Sequence, residues 1–156
     1  METGWSEDWL WSVPLIALTV AFHVLVLEFI YRRVIGFYHA RQHHGWSAPA
    51  LAGALLALIV TMATLAHALE AAAWGVVYML LGALPTPRQA MLYSLNAMTT
   101  LGHTSFDLAD HWRLMGALEA LNGILLFGLT TAFLFASIGQ FSFASDAARK
   151  DEKPRH

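Results

Sequence analysis

Thr86 to Trp112 reads TPRQAMLYSLNAMTTLGHTSFDLADHW, and the reading of that stretch decides the fold. Residues Arg88 to Met98 are good helix formers, and Pro87 can open the helix because the N–H it lacks has no intrahelical partner there. The run is mostly apolar but only about half the roughly 20 residues that a helical membrane crossing takes. A half-length helix ending in Thr99, Thr100, Leu101 and Gly102 reads as re-entrant, entering a bilayer and turning back. Irregular backbone at membrane depth is tolerated only where protein buries it or water lines it. TTLG is therefore a candidate ion filter, in which backbone carbonyls and a threonine hydroxyl replace a cation's water shell.

The flanks supply the membrane that this reading needs. Of the 156 residues, 57% are apolar and 13% charged, above the roughly 45–50% apolar share of a soluble domain. Three blocks are long enough to span as helices: about Val13–Tyr31, Ala48–Leu84 and Leu114–Ile138. Pro14 fits the first turn of its helix. The acidic flank of the first block, with Trp5, Trp9 and Trp11 and no Lys or Arg, reads as an interfacial anchor rather than a cleaved leader. The first block also lacks the Arg/Lys ladder of a voltage sensor.

Orientation follows from basic residues. Arg32, Arg33 and Arg41 lie between the first two blocks, and Arg149, Lys150, Lys153 and Arg155 lie in the tail. The positive-inside rule puts the N-terminus outside and the C-terminus in the cytoplasm. The expected organisation is an outer N-terminus (1–12), a first helix with its cytoplasmic loop (13–47), a central unit (48–141) and a short, disordered tail (142–156) too small to be a ligand-binding domain. A net charge of −2 with no basic patch excludes a nucleic-acid partner. The absence of cysteine excludes disulfides, thiolate metal sites and thiol nucleophiles.

The order helix, half-helix, TTLG, helix resembles the pore module of the potassium-channel superfamily, whose filter is TTVGYGD. Thr99, Thr100, Leu101 and Gly102 match its first half, and Ser94 matches the pore-helix serine. NGILLFGLTTAFLF (Asn122–Phe135) resembles the inner helix of small bacterial potassium channels. The likeness covers about Ala48 to Gly139 and leaves the first helix outside it. It implies an all-α homotetramer in a bacterial inner membrane, in contact with lipid and with monovalent cations. No cofactor, no resident metal and no catalysis are implied; K+ or Na+ would be the transported ion. The implied pore-facing residues are Ile124, Phe127, Thr131 and Phe135, with Phe135 nearest the cytoplasm. Gly123 and Gly128 would serve either as hinges or as close-packing positions.

The departures lie in the second half of the filter. His103, Thr104 and Ser105 stand where the family has Tyr-Gly-Asp. A β-branched Thr104 fits poorly where the family's glycine favours positive φ, so a weakly selective or altered cation filter is expected, with potassium selectivity as the alternative. Behind the filter, Asn96 and Ser105 replace an acid–Asp pair, and His103 with Tyr93 replaces an aromatic pair. His103 either packs sideways like the tyrosine it replaces or forms a titratable ring. A channel-like subunit that does not conduct would have the same sequence pattern.

Other polar residues invite different readings. His67, Glu70 and Glu119 are expected near the outer interface, as an interhelical polar cluster or a subunit contact. Glu28 and Arg32, four apart, suit an ion pair. His23 has no partner that the sequence reveals. His39, His43 and His44 have the spacing of one histidine box of membrane di-iron enzymes, but one box is too few and a basic lipid-facing loop is the simpler reading.

Overall fold

The computed structural model describes residues 3–41, 48–101 and 108–151. Among them are α1 (Thr3–Arg41), α2 (Ala48–Leu80), α3 (Pro87–Met98) and α4 (Arg113–Asp151), with a 3-10 turn at Asp110–Trp112 leading into α4 and no strand. The all-helical class agrees with the sequence. Trp5–Tyr38, Ala50–Leu80 and Asp110–Phe141 are each long and apolar enough to cross a membrane. Only 28%, 33% and 22% of the most apolar stretch of each is buried within the chain, so most of their apolar surface is left for lipid or for other chains.

Three boundaries differ from expectation. Pro14 lies inside α1, which starts at Thr3 rather than at the proline. The ring leaves the Leu10 carbonyl without its usual donor, and the helix continues through it. What holds the extra turns is packing, since Asp8 and Ser12 are buried on the same face as Leu15. At the other end of the chain, α4 continues to Asp151 through the segment expected to be a disordered tail, where Ala147, Ala148, Arg149 and Lys150 are strong helix formers.

The third difference is the end of α2, at Leu80 rather than Leu84. Gly82 adopts φ +67°. The Gly82 N–H donates to the Met79 carbonyl (3.1 Å) and the Ala83 N–H to the Tyr78 carbonyl (2.8 Å), which is the paired closure of a Schellman cap. Ala83 and Tyr78 then pack in one cluster, and the chain is turned back toward α3.

α1 lies along α2 and α4 on one face, buried at Leu15, Thr19, His23, Leu27, Ile30, Val34 and Tyr38, spaced three or four apart as one helical stripe requires. Apolar clusters follow one another along the helices. One gathers Trp74, Tyr78, Tyr93, Trp112 and Met115 around α3. A small middle one joins Ala71, Met98 and Leu126. The third, at the opposite end, joins Ile30, Val34, Tyr38, Ile59 and Phe141.

Candidate functional site

α3 begins as the sequence predicts. Thr86 is its N-cap, with extended backbone, and its hydroxyl accepts from the Gln89 N–H at 3.3 Å, while Pro87 takes the first helical position. Its inner face buries Ala90, Tyr93, Ser94 and Met98. The Tyr93 ring meets Tyr78 edge-on at 5.4 Å, and its hydroxyl lies over Gly116 of α4.

The closest approach is at the C-terminal end of α3. A Cβ added to Gly123 would lie 2.6 Å from Met98 Cα and 2.8 Å from Met98 C, so only glycine lets the α4 backbone pass there. Gly128, by contrast, faces open space. Together with Ala71 and Leu126, Gly123 brings the end of α3 alongside α2 and α4 at positions well inside the ends of both.

There α3 stops in a second Schellman closure. The Thr100 N–H donates to the Ala97 carbonyl (3.0 Å) and the Leu101 N–H to the Asn96 carbonyl (3.1 Å). Thr100 occupies the left-handed position at φ 55°, where a β-branched residue is strained. The Thr99 hydroxyl donates back to the Leu95 carbonyl at 2.7 Å. Thr99, Thr100 and Leu101 are exposed, Leu101 at 75%. Gly102, His103, Thr104 and Ser105 lie outside the described residues, so the second half of the expected filter and the His103–Tyr93 pairing have no structural account. Asn96 is half-buried on α3. Ile124, Phe127, Thr131 and Phe135 are all exposed on α4.

A second constellation lies among the three long helices, close to the middle of each. His23 of α1, His67 and Glu70 of α2 and Thr130 of α4 are buried together. The carboxylate of Glu70 receives Nδ1 of His23 at 2.8 Å on one oxygen and Nδ1 of His67 at 3.1 Å on the other. The other ring nitrogens, both Nε2, converge on the Thr130 hydroxyl at 2.9 and 3.1 Å. The result is a closed loop of four hydrogen bonds. His67 also stacks on Phe127 with ring centroids 4.2 Å apart. His23, His67 and Glu70 each offer a ligating atom within 4.8 Å of the others; among the described residues this is the group able to hold a metal.

This arrangement corrects two expectations. His67 and Glu70 belong near mid-span, away from the helix ends, and His23 does have partners. Sequence reasoning missed both His23 and Thr130. Asp8, Ser12, Thr19 and His23 recur at spacings of four, seven and four, which marks a polar stripe down α1. Its members bind the pair behind it: Asp8 accepts from the Met115 N–H in the first turn of α4 at 3.2 Å, and Asn122 donates to Thr19 at 2.9 Å.

Glu119 sits apart from that cluster, completely buried, and accepts from the Tyr78 hydroxyl at 2.7 Å. Glu28 and Arg32 do pair, at 2.6 Å, on the surface of α1. The side chains of His39, His43 and His44 fall outside the described set. No protein-family model, curated protein or solved structure matches this chain.

Proposed function

We propose that this chain is one subunit of a tetrameric pore-loop channel that conducts monovalent cations passively, with α3 as re-entrant pore helix and Thr99–Thr104 as filter. One observation carries the reading: a 12-residue helix starts just beyond the end of α2 and stops beside Ala71 of α2 and Leu126 of α4, well inside the ends of both, in the exposed Thr99, Thr100 and Leu101. A helix C-terminus carries the equivalent of about half a negative charge. Four such ends around one axis would favour a cation over an anion there.

The exposed face of α4 fits the same assembly. Ile124 is 56% and Phe135 81% exposed, and with Phe127 and Thr131 they make a stripe that lines the inner cavity of a tetramer. Phe127 rests one ring face on His67. A ring of four Phe135 side chains narrows the pore and closes it by dewetting. The distribution of Arg and Lys supports an N-terminus outside and a C-terminus in the cytoplasm, and the resemblance to small bacterial channels supports a bacterial inner membrane.

Selectivity between K+ and Na+ is weak in this reading, because Thr104 stands where a full carbonyl ladder needs glycine. The test is purified protein reconstituted in planar bilayers between K+ and Na+ solutions. Cation current reversing near zero is the expected result. A strong shift toward the potassium potential defeats weak selectivity and keeps the channel. No current, with liposomes equally silent, leaves a non-conducting scaffold subunit in its place.

A further inference from the structure

Hydrogen bookkeeping around Glu70 exposes a shortfall. The loop through His23, Glu70, His67 and Thr130 has four hydrogen bonds, and each needs its own hydrogen. An ionised carboxylate, two neutral imidazoles and one hydroxyl bring three. One edge of a buried polar ring is then unmet, and unmet polar groups are expensive inside a membrane. A positive species held beside Glu70 removes the deficit.

We propose that His23, His67 and Glu70 form a binding site for a first-row divalent metal ion of the zinc type, with Thr130 orienting both imidazoles. The donor set suits it. Two imidazoles and a carboxylate select such metals over Mg2+ or Ca2+, which require mostly oxygen ligands. Glu70 already turns one oxygen to each Nδ1, so two nitrogens and the carboxylate would supply the ligands of a distorted four-coordinate shell. With metal–ligand bonds of about 2.0–2.1 Å, tetrahedral neighbours stand about 3.3 Å apart. The nitrogen–oxygen separations of 2.8 and 3.1 Å reach that value when the side chains part by about 0.2–0.5 Å.

The outer partners fit as well. With Nδ1 on the metal, each imidazole carries its hydrogen on Nε2 and donates it to Thr130, whose oxygen accepts both. The Thr130 hydroxyl is then free to donate to a carbonyl one turn back, as Thr19, Thr61, Thr64 and Thr131 do. His67 and Glu70 sit three apart on one helix, a spacing that helical bundles use to present paired ligands. A cavity of about 330 Å³ between α1 and α2, lined by Thr19, Phe22 and Glu70 among others, gives access. The ligands are buried, which is the character of a closed, structural site. Bound metal fastens α1 to α2 directly and to α4 through Thr130.

The experiment uses the full chain in detergent, with His39, His43 and His44 replaced by Asn so that these imidazoles do not compete. Zn2+ is titrated against a chromophoric chelator, and Zn-edge X-ray absorption is recorded on the loaded protein. The expected result is one Zn2+ per chain, with two imidazoles and light oxygen donors near 2.0–2.1 Å. Glu70→Gln is expected to weaken affinity at least about tenfold and Thr130→Val about 10–100-fold. Substoichiometric binding, affinity unchanged by Glu70→Gln, or an edge spectrum without imidazole overturns the proposal, and an added proton then closes the loop instead. The spectrum needs no substitution at His23, His67, Glu70 or Thr130, so a misfolded ligand mutant does not shield the idea. Binding is read without ion flux, so this site and the channel reading stand or fall separately.

Discussion

Placing a methyl group on Gly123 probes the contact that holds the end of α3. Its Cβ would meet Met98 Cα at 2.6 Å and Met98 C at 2.8 Å, whereas carbon atoms rest at about 3.5 Å or more. The main chain of α3 must therefore retreat by about 0.7–0.9 Å, and main chain has no rotamer to escape into. Overpacking of this kind costs about 1–3 kcal/mol. Replacing glycine within a helix returns about 0.5–1 kcal/mol. Gly128→Ala is the matched control, since nothing lies within 4 Å of its added Cβ. It gains the helix term alone, so the difference between the two variants isolates the packing term, about 1–3 kcal/mol. Unfolding in mixed detergent micelles, followed by circular dichroism, measures both. In the channel reading the displaced helix end also lowers single-channel current for Gly123→Ala and spares it for Gly128→Ala. Equal stability of the two variants refutes the close approach and with it the placement of α3.

Other outcomes follow from the same structure. Tyr78→Phe removes a donor to the buried Glu119 carboxyl group, and its expected cost is about 1–3 kcal/mol by the same unfolding measurement; a change within error removes that hydrogen bond from the account. Gly82→Ala puts a side chain at φ +67° and is expected to destabilise by about 1–2 kcal/mol, while Thr100→Gly at φ 55° relieves strain of similar size and stabilises. Opposite signs for that pair check both helix ends at once. In the channel reading, restoring tyrosine at His103 and glycine at Thr104 raises the K+/Na+ permeability ratio in bi-ionic recordings; an unchanged ratio removes those positions as determinants of selectivity.

The sequence announced what depends on local chemistry. Pro87 marks the start of α3, and the apolar blocks mark three candidate spans, because proline's fit to a first helical turn and hydropathy are local properties. It was less informative where two signals compete. Pro14 reads locally as a helix start, yet the buried face of α1 continues past it to Asp8. Gly82 ends α2 although the apolar run continues to Leu84. The cluster around Glu70 was out of reach for a different reason. His23 lies 47 residues from Glu70 and 107 from Thr130 in the chain, and which of Thr130 and Thr131 turns inward depends on the rotation of α4 against α1. Helical spacing gives the polar stripe on α1 but not the stripe it meets.

The central claim is that the α3 ends of four chains meet around one axis. The chain has no cysteine, so a single spin label can be placed through Leu80→Cys, at an exposed residue at the end of α2 and outside the proposed filter. Pulsed dipolar spectroscopy of the assembled protein, sparsely labelled in lipid nanodiscs, then reads distances between subunits directly. A square arrangement predicts two populations, the longer about 1.4 times the shorter. A single distance, or none within range, contradicts the account.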